Sequence, residues 1–265
     1  MAVYVMGDIH GCFDEFQQML NIIGFSDEDR LILSGDYIDR GEQNISMLRW
    51  LAKKPENVVA IKGNHDVEFC GHIDLMKIVD QTAELETDYD SPSDTLFLYQ
   101  TVEYALKKSD ASDSIYFDYY KTIQGMAESG QITFREMLEW RDMLEKLPYT
   151  FSLPIEDKIC VVVHAGYCES DELTGEHFNN QEEFFIFARE EGLKYGLRNG
   201  IVIAGHTPTI LKDSVFYTGG KIFKYFNKER NCTFYNIDCG CSYRAKLPGA
   251  RLACLRLEDG KEFYV

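Results

Sequence analysis

The sequence is poor in positive charge and contains no long apolar run. Its 27 lysine and arginine residues face 44 aspartate and glutamate residues, which gives a formal net charge of −17. A surface this acidic repels the phosphates of nucleic acids and anionic membranes, so we expect neither as a partner. No segment is long enough to span a bilayer, and no basic, apolar leader opens the chain. These absences predict a cytoplasmic protein.

Eight cysteines are present, but a chain of 265 residues is not a short disulfide-stapled scaffold. Several of the cysteines lie inside apolar runs, as reduced, buried thiols do. Cys232, Cys239 and Cys241 could suggest a zinc site, but the spacing lacks the second pair that such sites need. We therefore expect these cysteines to be reduced and to pack in the core.

Strands and helices alternate over the first sixty residues. An apolar strand at residues 2–7 precedes a helix in which Phe13, Phe16 and Ile23 have helical spacing, and Gly24 is its expected end. Strands at 31–33 and 58–61 flank a second helix that ends before Pro55. This rhythm predicts an α/β fold with a parallel sheet and helices packed on its faces.

The middle of the chain, at about 67–148, has helical spacing and no convincing strand, so we predict a helical insert within a single domain of residues 1–265. Six acidic residues between 80 and 94 have no basic residue among them, and we expect them to form a solvated surface. Strands return after the insert, at 159–163, 201–204, 234–240, 251–257 and 262–265, the last two joined by a turn at 258–261.

A polar motif follows directly after each of three predicted strands. They are Gly-Asp-Ile-His-Gly at residues 7–11, Gly-Asp-Tyr-Ile-Asp-Arg-Gly at 35–41 and Gly-Asn-His-Asp at 63–66. The carboxyl ends of parallel strands meet at one edge of a sheet, which is where open α/β sheets bind ligands. The motifs therefore predict one site at this edge.

Four of the six histidines, namely His10, His65, His164 and His206, follow apolar runs and lie beside or near glycine. His72 and His177 lack this context, and we interpret them as surface or insert residues. Imidazoles mixed with carboxylates suit a borderline divalent ion such as manganese, iron or zinc. The set exceeds what one tetrahedral ion uses, whereas a pair of bridged ions uses it fully and can generate hydroxide near neutral pH.

These motifs, in this order, resemble the calcineurin-like metallophosphoesterases. The resemblance is narrower to the phosphoprotein phosphatase group, which includes bacterial and phage phosphatases and diadenosine tetraphosphate hydrolases. It implies a β-sandwich core flanked by helices and two divalent ions, manganese first. It also implies six metal ligands: Asp8 and His10 on the first ion, Asp36 bridging both, and Asn64, His164 and His206 on the second.

The same resemblance assigns the catalytic residues. Arg40 and Asn64 would hold the phosphate, and His65 would protonate the leaving group while Asp39 orients its imidazole. A second phosphate-binding arginine is expected between the last two histidines, where both Arg189 and Arg198 lie.

The expected reaction is hydrolysis of a phosphate ester or anhydride, with a phosphorylated protein or a small phosphate compound as substrate. A serine/threonine protein phosphatase is our first prediction and a dinucleoside polyphosphate hydrolase the alternative. Diadenosine hydrolases and several bacterial relatives have aspartate at the position of Asp66, whereas the protein phosphatases usually have glutamate there. Asp39 favours the protein phosphatases, because the symmetrical diadenosine hydrolases often lack that acid. A metal-binding protein without catalysis is a third hypothesis, disfavoured because no expected ligand is missing.

Overall fold

The computed structural model describes residues 1–108, 116–170, 172 and 178–265. Within these ranges, ten strands form two five-stranded sheets. The strands are β1 (Val3–Met6), β2 (Arg30–Leu33), β3 (Val58–Ala60), β4 (Thr150–Ile155), β5 (Lys158–Val163), β6 (Gly200–Ala204), β7 (Phe223–Asn227), β8 (Cys232–Asn236), β9 (Ala253–Arg256) and β10 (Glu262–Tyr264).

Each sheet contains three adjacent parallel strands. Antiparallel pairing extends the first sheet on one side only and the second sheet on both sides. The first sheet has the order β10-β9-β1-β2-β3, in which β1, β2 and β3 run parallel. The second has the order β4-β5-β6-β8-β7, in which β5, β6 and β8 run parallel. The β9–β10 hairpin confirms the turn predicted at 258–261.

The two sheets pack face to face, as the resemblance implied. Alternate side chains of β1 point to opposite faces, so Val3 and Val5 lie in the core between the sheets while Tyr4 and Met6 pack against helices. Because both faces of the central strands are covered, these strands consist of nearly continuous apolar runs. The predicted α/β class and sandwich architecture are confirmed.

Eight α-helices surround the sheets in the described ranges. Gly24 ends the first of them in a left-handed conformation with φ 62°, as the sequence predicted. The helices are α1 (Phe13–Ile23), α2 (Asn44–Leu51), α3 (Asn64–Thr82), α4 (Pro92–Lys108), α5 (Tyr116–Glu128), α6 (Phe134–Glu145), α7 (Gln181–Phe187) and α8 (Glu191–Lys194). No helix in these ranges is long and apolar enough to cross a membrane.

The region predicted as a helical insert contains α3 to α6 and, in its described part, no strand. Helix α3 begins at Asn64, so one continuous helix connects the third motif to this region. His72 lies in the predicted insert, where it is buried on α3. Of the six acidic residues between 80 and 94, Asp80 is buried, whereas Glu84, Glu86, Asp88 and Asp90 are exposed, as expected. His177 lies outside the described residues.

Two strands, β4 and β7, were not predicted. They are the edge strands of the second sheet, and β7 exposes Lys224, Tyr225 and Phe226. An edge strand that is covered on one side does not need a continuous apolar run. Neither β4 nor β7 therefore has the sequence pattern by which the central strands were predicted. All eight cysteines are free and buried, in agreement with the prediction of packing thiols.

Candidate active site

The candidate site lies where the carboxyl ends of all six parallel strands converge. Residues beyond β1, β2 and β3 supply the three sequence motifs, and β5 and β6 lead directly to two histidines. The sixth strand, β8, leads to a carboxylate that the sequence analysis did not single out. Buried polar residues at these ends include Asp8, His10, Asp36, Asn64, His164, His206 and Asp238.

Five non-glycine residues at these strand ends have left-handed backbone conformations. Their φ angles are 48° at His10, 54° at Asp36, 72° at Asp39, 66° at Arg40 and 68° at His206. Each such residue costs about 1 kcal/mol or more, and strain of this kind collects at functional sites. The backbone is therefore bent so that these side chains point inward.

Two buried groups of side chains could each hold a metal ion, and Asp36 belongs to both. One contains His10, Asp36 and His65, and the other Asp36, His164 and His206; in each, the candidate ligand atoms lie within 4.8 Å of one another. One carboxylate shared by two ligand groups is the arrangement that a bridged pair of ions requires.

The second group fits one ion closely. Asn64 Oδ1 lies 3.0 Å from His164 Nε2 and 3.0 Å from His206 Nδ1. Asp36 Oδ1 lies 3.4 Å from His164 Nε2. Ligands about 2.1 Å from a common ion are separated by about 3.0 to 3.4 Å in octahedral or tetrahedral geometry. The three distances therefore have the spacing expected between ligands of one ion.

The first group is less compact. His10 Nε2 lies 3.4 Å from Asp36 Oδ2, and His65 Nε2 lies 3.9 Å from the same oxygen. Asp8 is oriented by the backbone N–H of His206, which donates to Asp8 Oδ2 at 2.9 Å. Asp8 Oδ1 is buried and has no hydrogen-bond partner in the described chain. Buried polar atoms usually have a partner, and a bound cation would supply one here.

Backbone carbonyl groups orient the imidazoles of two predicted ligands. His10 Nδ1 donates to the carbonyl of Ile38 at 2.8 Å, and His164 Nδ1 donates to the carbonyl of Ser34 at 2.9 Å. Each bond leaves Nε2 facing Asp36. Such outer hydrogen bonds orient metal-binding histidines in proteins.

Electrostatics favour a cation at the shared carboxylate. Burial by itself would raise the pKa of Asp36, but His164 and His65 outweigh burial and hold that pKa well below its usual range. Burial opposes charge on His164, yet Asp36 raises the pKa of this imidazole to about 10. Without metal, the centre therefore keeps an ionised carboxylate beside a protonated imidazole.

Asp238 is a further carboxylate in the site, and the sequence analysis did not identify it. Burial and its proximity to Asp238 raise the pKa of Asp8 well above the ordinary carboxyl value. Burial raises the pKa of Asp238 itself to about 6. Its Oδ1 accepts the N–H of Gly240 at 2.9 Å, whereas Oδ2 has no partner in the described chain. Its place after an apolar strand and near a glycine was the available signal.

Asp66 links two of the motifs. Its Oδ2 accepts the N–H groups of Gly63 at 2.8 Å and Asp36 at 2.9 Å, and its Oδ1 accepts that of Tyr37 at 3.1 Å. Burial and the charge of Asp36 raise its pKa to about 7. The residue therefore fixes the loop that carries the bridging carboxylate.

The three residues predicted to be catalytic are in mutual contact. His65 Nδ1 donates to Asp39 Oδ2 at 2.6 Å, so Asp39 orients this ring. Arg40 directs Nη1 at His10 Nε2 and Nη2 at His65 Nε2, each at 3.0 Å. The guanidinium thus lies at the mouth of the first ligand group, where a phosphate could replace both histidines as its partner.

The structure distinguishes the two candidate arginines. Arg189 Nη1 donates to Thr207 Oγ1 at 3.2 Å, next to His206. Arg198 instead pairs with Glu172 at 2.7 Å and Glu169 at 3.3 Å, away from the site. Of the two, Arg189 is the one that lies beside the second ligand group.

Comparison with known proteins identifies the family. The model of the calcineurin-like phosphoesterase family matches residues 1–235. The chain belongs to this family. Similar proteins include symmetrical bis(5'-nucleosyl)-tetraphosphatases from Haemophilus ducreyi, 40% identical over 93 residues, and from Chromobacterium violaceum, 46% identical over 68 residues. These matches cover 35% and 25% of this chain, and 34% and 24% of the relatives, so the chain matches at most about a third of either relative's length.

Solved structures agree on the fold. A crystal structure provisionally assigned as a diadenosine tetraphosphatase superposes with a TM-score of 0.53 at 17% identity, covering 100% of this chain and 92% of that one. A protein serine/threonine phosphatase from Saccharomyces cerevisiae gives a TM-score of 0.51 at 14% identity, covering 98% and 73%. At these identities the likeness concerns the fold alone.

Proposed function

We propose that this calcineurin-like phosphoesterase hydrolyses dinucleoside polyphosphates with two divalent metal ions. The observation that carries the metal centre is Asp36, whose carboxylate belongs to two buried ligand groups at once. The substrate class comes from the relatives, several of which are named as symmetrical bis(5'-nucleosyl)-tetraphosphatases. They support the second substrate prediction better than the first.

The proposed ligands are those that the resemblance implies, and the two groups support His10, Asp36, His164 and His206 among them. Asp36 would bridge, with Asp8 and His10 completing the first position. Asn64, His164 and His206 would complete the second. When bound, the ions supply Lewis acidity and lower the pKa of water; manganese is our first expectation, with iron or zinc as alternatives.

The chain's own residues bind and protonate the substrate. Arg40 and Arg189 flank the ligand groups and would hold phosphate oxygens, because guanidinium matches phosphate geometry in two-pronged hydrogen bonds. Asn64 would add its amide N–H to the phosphate. His65, oriented by Asp39, would give a proton to the departing oxygen.

A protein phosphatase activity has one specific observation in its favour, the short bond between His65 and Asp39. An alkoxide leaving from a phosphoserine is poor and needs this proton most. The bond therefore keeps phosphopeptides among the substrates to be compared.

The test compares three substrates in parallel at saturating manganese: diadenosine tetraphosphate, a phosphoserine peptide and p-nitrophenyl phosphate. We expect the highest kcat/KM on diadenosine tetraphosphate, with two molecules of ADP as product. Asp36→Asn, purified in the same way, controls for contaminating hydrolases and should be inactive on all three. Faster turnover of the phosphopeptide would reject the proposed substrate class, and no turnover of any substrate would reject the activity.

A further inference from the structure

An exposed aromatic side chain, that of Phe187, lies beside the second ligand group. Phe187 is the last residue of α7, and 38% of its surface is exposed. The centre of its ring lies 6.4 Å from that of the His206 imidazole, and the two planes are 87° apart. An apolar ring that solvent can reach therefore adjoins a predicted metal ligand.

Helix α7 is firmly anchored, so the position of this ring is defined. The three residues before Phe187, namely Phe184, Phe185 and Ile186, are buried in an apolar cluster with residues of β5 and β6. The backbone N–H of Ala165, in the loop after β5, donates to the carbonyl of Phe185 at 2.7 Å. Phe187 itself does not belong to this cluster.

The end of the helix places an aromatic ring and a cation side by side. Ala188 has an extended backbone, with φ −60° and ψ 142°, and is buried. Successive side chains of an extended segment point to opposite sides. Because Ala188 points into the protein, its neighbours Phe187 and Arg189 are both exposed, two residues apart.

This pair has the chemistry of a nucleotide site. Arg189 Nη1 donates to Thr207 Oγ1 at 3.2 Å, next to His206, and we have proposed that this guanidinium holds phosphate oxygens. Aromatic faces stack on nucleobases of any sequence, because every base presents a π-face. In a nucleotide only the ribose separates the base from the first phosphate, so the two groups must be bound close together.

Exposure alone would not be evidence, because single apolar side chains are common on protein surfaces. Phe226 is an example. It is 47% exposed and pairs with Thr233, near the start of β8 and away from the strand end that enters the site. Phe187 differs because it lies between a predicted metal ligand and a predicted phosphate-binding residue.

We propose that Phe187 stacks on one nucleobase of the dinucleoside polyphosphate while Arg189 holds the phosphates attached to that nucleoside. The inference rests on the proposed function and adds a base-binding subsite to it. The phosphate chain then passes from Arg189 over the second ligand group. A phosphoserine peptide has no planar group at a fixed distance from its phosphate, so a ring in this place favours a nucleotide.

The experiment compares inhibition by ADP and by inorganic pyrophosphate, with p-nitrophenyl phosphate as reporter substrate at saturating manganese. ADP carries an adenosine that pyrophosphate lacks, so a change in the ratio of the two inhibition constants reports on the nucleoside. Phe187→Leu should raise the inhibition constant of ADP about five- to twentyfold, as expected for the loss of one base stack. The constant of pyrophosphate should stay close to the wild-type value.

Phe187→Trp, which keeps an aromatic face, should retain tight inhibition by ADP. A residue that merely supports His206 would instead change both constants together, because metal and phosphate binding would be disturbed for both inhibitors. The matched control is Phe226→Leu, the same substitution at an exposed phenylalanine away from the site, and it should behave as wild type.

The outcomes separate the two proposals. If Phe187→Leu leaves the ADP constant unchanged, or shifts both constants equally, while wild type splits diadenosine tetraphosphate, the stacking role fails and the proposed function stands. If wild type splits p-nitrophenyl phosphate but not diadenosine tetraphosphate, the proposed function fails and the base-binding subsite fails with it.

Discussion

His65 illustrates how much depends on single hydrogen bonds. Its Nδ1–H is fixed by Asp39, so only Nε2 can face a substrate, and in this structure Nε2 faces Arg40. An arginine donates and never accepts, so Nε2 must accept in this contact. Phosphate binding to Arg40 would remove that contact and allow Nε2 to carry the proton it gives to the leaving group.

A general acid matters only when the leaving group is poor. We therefore predict that His65→Asn lowers kcat on a phosphoserine peptide by about 10² to 10⁴, while p-nitrophenyl phosphate loses much less. Asp39→Asn should show the same pattern more mildly. The measurement is the ratio of the two losses at saturating manganese. Equal losses on both substrates would mean that His65 acts through phosphate or metal positioning.

Asp36 and Arg40 should separate metal binding from phosphate binding. Asp36→Asn removes the only carboxylate common to both ligand groups and should lose most of the bound metal. Arg40→Gln removes a cation that lies 3.0 Å from His10, so metal affinity should be unchanged or higher while KM for substrate rises. Metal analysis of the dialysed proteins and steady-state kinetics give both quantities. Two ions retained by Asp36→Asn would refute the bridging role.

The sequence was informative where a side chain follows a buried strand within a motif. Asp8, Asp36 and His164 were found in this way, and all three lie in the site. Asp238 has the same context after β8 but belongs to no motif of the resemblance. Its place in the site follows only from the sheet order, in which β8 lies beside β6.

At the level of elements, the central strands were predictable, whereas the two edge strands of the second sheet were not. β5 and β6 are buried on both faces and therefore nearly continuous in apolar residues. β4 contains Ser152 and Pro154, and β7 contains Lys224. Pairing with a neighbouring strand, which composition does not report, makes these two segments strands.

Helix α3 offers a matched pair of glycines. Gly63 precedes its first turn, and a methyl group there would overlap Asp36 Oδ1 and the Asp36 backbone nitrogen. Gly71 lies in the same helix, is exposed, and has no atom within contact distance of the added methyl group. Gly63→Ala should therefore displace the bridging carboxylate, whereas Gly71→Ala should stabilise the helix by about 0.5–1 kcal/mol.

The measurements for this pair are metal content and thermal unfolding. Gly63→Ala should lose at least one of the two ions, and Gly71→Ala should keep both and unfold at a slightly higher temperature. Full metal content in Gly63→Ala would show that the loop can shift without disturbing Asp36.

At the scale of the molecule, the site joins the two sheets. Asp8, His10 and Asp36 follow strands of the first sheet, and His164 and His206 follow strands of the second. The strand pattern alone predicted a single, largely parallel sheet, because periodicity does not reveal which strands pair. The division into two sheets came only from the resemblance. Metal ions bound here would hold the two layers together.

Metal binding should therefore stabilise the whole fold, increasingly so at higher pH. The pKa of His164 is raised to about 10 in the metal-free fold, against about 6.5 in an unfolded chain. Between these values the folded state holds one proton more than the unfolded state. The stability of the metal-free protein should then fall by up to about 1.4 kcal/mol per pH unit as pH rises. A bound ion displaces that proton and removes this dependence.

The depressed pKa values of His10 and His206 act in the opposite sense, but only below about pH 6.5, where unfolded histidines take up protons. The window from pH 7 to 8.5 avoids this opposing effect, and the raised pKa values of Asp66, Asp8 and His65 act in the same sense as that of His164. Scanning calorimetry with manganese and with a chelator should show a Tm difference that widens by roughly 3 °C per pH unit. At a fixed concentration of free metal, the stabilisation that comes from metal binding itself sets the Tm difference from which this widening starts. A constant difference across the window would mean that His164 is neutral before metal binds, and a shrinking one would exclude it as a ligand that must lose a proton.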